Sequence, residues 1–93
     1  MEFEWNESKR AANKRKHGVD FTSLAGAFED PYRIETPEYV DSEERWKLIG
    51  RAAIGLLYVV YIERDHDLIR IISARRATAS EARTYYSSQT DRR

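Results

Sequence analysis

The sequence predicts a small α+β domain: an antiparallel sheet with two N-terminal helices packed on one of its faces, followed by a C-terminal helix. Three observations carry this. Residues 56–63 and 68–75 are rich in β-branched and aromatic side chains and are separated by the polar link Arg64-Asp65-His66-Asp67, the pattern of paired strands. Helical patterns precede them, and a helix-capping sequence, Thr78-Ala79-Ser80-Glu81, follows directly. At 93 residues the chain has room for one domain and one core, so residues 1–93 are read as a single unit with no repeat and no low-complexity tract.

Taken in order, Phe3 and Trp5 alternate with Glu2 and Glu4 as in a short half-buried strand. Asn6 is a good N-cap for the charged helix that follows, and His17-Gly18 a good stop. Ala11, Ala12 and Val19 give that helix little to bury, so most of it should face water. Asp20 caps an expected second helix, in which Phe21, Leu24, Ala25 and Phe28 fall on one side and Asp30-Pro31 ends the run. Residues 32–36 read as a strand closed by Pro37 toward an acidic turn, and 45–50 alternate charge with Trp46 and Leu48. In the last helix Ala79, Ala82 and Tyr86 space an apolar face, and the polar tail from Ser87 is expected to fray.

Sixteen basic and sixteen acidic side chains cancel, but they are not mixed. Seven acids and one base lie between Glu29 and Glu44, whereas Lys9, Arg10, Lys14, Arg15 and Lys16 cluster with no acid among them. Between Arg70 and Arg83 four arginines meet only Glu81. A neutral total thus conceals basic patches fit for phosphates and an acidic segment fit for a basic partner. With no cysteine, disulfides, thiol catalysis and thiolate metal sites are excluded, and a reducing compartment is compatible. The opening MEFEWNESKR lacks the apolar run of a signal peptide, and the longest apolar stretch, 54–62, is too short to cross a bilayer; a soluble protein is expected.

The segment FEWNESKRAANKRKHGVDF resembles the opening of the BrnT family, an F-x-W-D/N element, then K-x-x-x-N, then KHGV-x-F, with Trp5, Asn6, Lys9, Asn13, Lys16, His17, Gly18, Val19 and Phe21 at those positions. Arg45 and Gly50 match its R-x-x-x-x-G element, and VVYIERDHDLIRIISARRAT is similar to its VVYT-x-R…IRIISARKAT. Glu81, Arg83 and Tyr85 or Tyr86 resemble its E-R-x-x-Y close. Asn6 stands where aspartate is usual, Ile62 where threonine is, and Ala82 splits the usual adjacent Glu-Arg. The resemblance runs from Phe3 to about Tyr86 and implies a RelE-like fold and a cytoplasmic ribonuclease toxin of a type II toxin–antitoxin system that halts translation. It further implies an RNA substrate and a BrnA-like ribbon-helix-helix antitoxin, bound in a hetero-oligomer, through which alone the toxin would reach DNA. No membrane association is implied.

RNA cleavage without a metal needs a base for the 2′-hydroxyl, cations for the pentavalent phosphorane and an acid for the leaving 5′-oxygen. The planar guanidinium fork suits the second role, with Arg45, Arg70 and Arg75 as candidates; His17, Glu44 and Tyr61 are candidates for acid or base. Lys14, Lys16 and Arg76 are expected to hold RNA more loosely. Each has a plainer alternative: His17 closing a helix, Arg45 pairing with Glu43 or Glu44 at the surface, the lysines as a solvated face. Strict alternation would put Arg70 and Arg75 on opposite faces, so they share a site only if the strand bulges or has ended by Arg75. His17 and His66 are too few for a metal site, and no cofactor is expected. The competing functional reading is a non-catalytic nucleic-acid- or protein-binding module, or a degenerate toxin acting only in operon regulation.

Overall fold

The structure, a computed structural model, describes residues 1–90. In chain order it comprises β1 (Glu2–Glu4), α1 (Glu7–His17), a 3-10 turn (Phe21–Ser23), α2 (Ala25–Glu29), β2 (Ile34–Val40), β3 (Glu43–Ala52), β4 (Gly55–Asp65), β5 (Leu68–Arg76) and α3 (Ala79–Thr90). The sheet order is β1-β5-β4-β3-β2. The four strands β2 to β5 form the expected antiparallel meander, and β1 adds a parallel edge to β5, which strand-by-strand pattern reading does not specify.

Local signals account for most boundaries. The Asn6 side chain accepts from the Lys9 amide, and Gly18, at φ 71°, ends α1 in the left-handed conformation. At the other end of the chain the Glu81 amide donates to Thr78 Oγ1 (3.2 Å) and the Thr78 amide to Glu81 Oε1 (2.9 Å), a reciprocal cap. Two boundaries differ from expectation. The second helix is split: Asp20 caps the 3-10 turn through Thr22, and α2 starts only after Leu24. Phe21, Leu24, Ala27 and Phe28 are still all buried, because 3-10 and α turns both place residues three apart on one side, while Ala25 is exposed. And β2 runs through Pro37 rather than closing at it; β2 is an edge strand, where a missing N–H breaks no inner ladder. The turn falls instead at Asp41 and Ser42, both left-handed at φ 51° and 66°, as a two-residue hairpin requires.

The N-terminal helices and the 3-10 turn between them cover one face of the sheet. Leu48, Leu57, Val59, Ile71 and Ala74 point toward Val19, Phe21, Leu24, Ala27 and Phe28 to form the core. Gly50 is part of this packing: a Cβ there would lie 2.6 Å from the Ala27 carbonyl oxygen, so only glycine lets α2 come this close to β3. In α1, where alanines offer little apolar area, the buried residue is Asn13. The buried ring of α3 is Tyr85, whose hydroxyl donates to Asp30 (2.5 Å), while Tyr86, expected inward, is 47% exposed. The segment from Ser87, expected to fray, is helical to Thr90; the rest of the expected tail, 91–93, lies outside the described residues.

Two carboxylates of this layer set an acid limit. The Thr22 amide, aided by Arg10, holds Asp20 down to about 2. Asp30 is also lowered: burial opposes this, but the Tyr85 hydroxyl and the Arg51 and Tyr32 amides outweigh it. A carboxylate whose pKa is depressed by folding stabilises the fold above its unfolded-state pKa and loses that contribution as pH falls through the folded value. The melting temperature should therefore drop steeply between about pH 4 and pH 2, and Asp20→Asn should flatten that drop while lowering the plateau at neutral pH. A thermal melt series across this range checks it; an unchanged acid slope in the variant would contradict it.

Candidate active site on the open sheet face

The face turned away from α1 and α2 carries the arginines. The register between β4 and β5 pairs Val60 with Ser73 but Tyr61 with Ile71, so Ile72 is an extra residue, a β-bulge. The bulge resets alternation. Arg70, opposite Ile62, and Arg75, opposite Tyr58, consequently project from the same face, which unbroken alternation forbids. Across the sheet, Tyr58 continues to Ile49 and Ile34, Val60 to Lys47 and Thr36, and Arg45 lies opposite Glu38. Arg45, Lys47, Tyr58, Arg70, Ser73 and Arg75 thus occupy one surface.

Each arginine is oriented by a carboxylate. Arg75 meets Glu81 with both terminal nitrogens (2.8 and 2.9 Å) and lies over the Tyr58 ring at 4.1 Å. Arg70 pairs with Glu4 at 3.4 Å and Arg45 with Glu43 at 2.9 Å. The fork to Glu81 raises the Arg75 pKa, and the same bond chiefly lowers that of Glu81, so both are charged at neutral pH. Burial, then Glu38 and Glu81, push the Tyr58 hydroxyl up; it stays protonated and can donate but not act as a base. Lys47 makes no ion pair among the described residues and leaves its charge available at the centre of the face. The arrangement offers several fixed cations around a ring that already stacks on a planar group, suited to a phosphate flanked by a base.

The other candidates lie elsewhere. Tyr61 is buried on the helix side, its hydroxyl donating to Glu35 (2.9 Å), and burial raises its pKa. Glu44 accepts from the Tyr39 hydroxyl at 3.0 Å and lines a groove with Trp46, whose register places it on the Tyr61 side. His17 ends α1 within the helix layer, which packs on the face of the sheet away from the arginines. Lys14 is drawn to Asp20 (3.6 Å) and Lys16 is exposed on the same helix, so neither adjoins the arginine face. Arg76 donates to the Ile54 carbonyl at the β3–β4 turn. Of the proposed catalytic set, the fold brings together Arg45, Arg70 and Arg75 and separates Glu44, Tyr61 and His17 from them. Sequence reasoning missed Lys47 and Tyr58, whose signal was alternation along β3 and β4 once the register is known, and Glu81, which the sequence marks only as a helix-capping residue. Among the described residues no cluster of histidines and carboxylates could hold a metal ion, and no helix is long and apolar enough to cross a membrane.

A family model described as the ribonuclease toxin BrnT of type II toxin–antitoxin systems matches residues 5–81. The chain belongs to the BrnT family. The fold agrees with this: the chain is similar to the crystal structure of the ribonuclease toxin BrnT of Brucella abortus, with a TM-score of 0.70 and 30% identity, over 84% of this chain and 97% of that one. No curated protein sequence matches. The BrnT motif residues sort by role once placed in the fold. Asn13, Val19, Phe21 and Gly50 join the helix layer to the sheet, and Gly18 turns the chain between helices, whereas Arg45, Arg70 and Arg75 stand on the open face.

Proposed function

We propose that this BrnT-family toxin is an endoribonuclease that cleaves RNA on the open face of its sheet without a metal ion, arrests translation in the cytoplasm, and is neutralised by a BrnA-like ribbon-helix-helix antitoxin. The observation supporting the site is the bulge at Ile72, which puts Arg70 on the same face as Arg75, Tyr58 and Lys47. In this reading the 2′-oxygen loses its proton and attacks phosphorus, and the bond to the 5′-oxygen breaks as that oxygen takes a proton from water, giving a 2′,3′-cyclic phosphate and a free 5′-hydroxyl. Arg70, Arg75 and Lys47 stabilise the charge that grows on the phosphorane oxygens, and Tyr58 supports a neighbouring base. Glu4 and Glu81 are engaged by arginines; Glu38, on the same face and with no side-chain hydrogen bond or ion pair among the described residues, is the carboxylate that would accept the 2′-proton.

The test is the purified chain on a defined RNA in the presence of EDTA, with analysis of the product ends. Cleavage that persists and leaves 2′,3′-cyclic phosphate termini is expected. Complete loss of cleavage in EDTA, restored by magnesium, would overturn the metal-free mechanism.

A further inference from the structure

Behind the arginine face, at the end of the sheet formed by the β2–β3 and β4–β5 hairpins, the helices leave the sheet uncovered. Two adjoining cavities of about 560 and 170 Å³ there share Trp46, Glu63 and His66. Phe28, Tyr61, Ile69 and Trp46 give an apolar floor, and the rim carries Glu35, Glu44, Glu63, Asp65 and Asp67. Arg64, the cation of this rim, is turned toward Glu4 at 4.0 Å. The sheet therefore has two unlike surfaces, a basic one with an aromatic ring and an acidic one with an apolar floor.

We infer that this groove is a docking site for the antitoxin, taken up by a lysine- or arginine-rich segment that seats an apolar or aromatic side chain on Trp46. The inference rests on the toxin–antitoxin reading above. Charge selects the occupant: Glu35 is paired with Arg33 at 3.6 Å, but Glu44, Glu63, Asp65 and Asp67 repel a phosphate backbone, so RNA is directed to the arginine face, and the same four carboxylates attract a cationic peptide. Shape agrees, since an apolar floor inside a charged rim is the layout in which a buried anchor supplies affinity and the rim supplies steering. Trp46 adds a ring face that a cation can approach. A metal ion is a poor occupant, because the described residues present no group of three metal-ligating side chains close enough to share one.

The experiment uses the full chain and the antitoxin encoded by the neighbouring reading frame, with affinity measured at two salt concentrations. Asp65→Lys with Asp67→Lys, both exposed rim positions outside the catalytic face, should weaken binding by about tenfold or more and reduce its salt dependence, while RNA cleavage by the free variant stays at the parent rate. Hydrogen exchange on the parent complex should show protection across 44–46 and 61–67. Undiminished affinity of the folded double variant, or protection confined to the open face, would overturn the inference. Absence of any complex with that antitoxin overturns the toxin–antitoxin reading itself, and this inference with it.

Discussion

Arg75→Ala is expected to reduce RNA cleavage by about 10²- to 10³-fold, the loss typical of removing one preorganised group that stabilises transition-state charge. The side chain is well prepared for that role. Glu81 fixes its fork through two bonds of 2.8 and 2.9 Å, and the Tyr58 ring 4.1 Å away fixes its plane, so little reorganisation accompanies phosphate binding. The fold should tolerate the change, since Glu81 keeps its bond from the Thr78 amide and remains in the helix cap. Arg75→Lys should recover only part of the rate, because an ammonium keeps the charge but loses the planar fork. Single-turnover kinetics on a defined RNA, alongside circular dichroism, read both effects. A folded Arg75→Ala variant that cleaves at the parent rate would remove Arg75 from the mechanism.

The largest effect on stability is expected from Asn13→Ala. Asn13 is a buried polar residue on an otherwise solvent-facing helix, and its amide donates to the carbonyls of Val19 (2.9 Å) and Ala74 (2.7 Å) while its oxygen accepts from the Ala74 amide (3.1 Å). It thereby satisfies both backbone groups of a residue in β5 and pins the chain that leaves α1. Alanine would strand three buried backbone groups, a loss of about 2–4 kcal/mol, which is a large share of the stability of a domain this small. Urea unfolding measures it directly; a loss well under 1 kcal/mol would show that water or a local shift replaces the side chain. The two substitutions separate the two roles of the family's motif residues: one removes chemistry and keeps the fold, the other does the reverse.

What the sequence made legible was mostly local. The caps of α1 and α3, the β4–β5 hairpin and the apolar spacing before Asp30 depend on residues within a few positions of each other, and each appears in the structure. Features that depend on distant partners were not legible. The parallel pairing of β1 needs β5 as a template, and β2 tolerates Pro37 because it ends up at an edge. Tyr85 rather than Tyr86 is buried because Asp30 waits 55 residues upstream. The site follows the same division. Arginine as the phosphate-binding residue type was readable, but which arginines share a face turned on one bulged residue, and Glu44 and Tyr61 fell on the helix side through the β3–β4 register. The partners of Arg75, one six residues along and one across a strand, were visible in the sequence only as a capping glutamate and an alternating tyrosine.

The most direct test of the central claim, that the open face is the active surface of a ribonuclease toxin, is induced expression in a bacterial host with growth and total RNA followed together. The parent chain should stop growth and deplete RNA, co-expression of the antitoxin should restore both, and a folded Arg70→Ala, Arg75→Ala variant should do neither harm. Normal growth with intact RNA from soluble, folded parent chain would contradict the account and favour a non-catalytic binding module. Arrest by the folded double variant as strong as that of the parent would place the chemistry on some other surface.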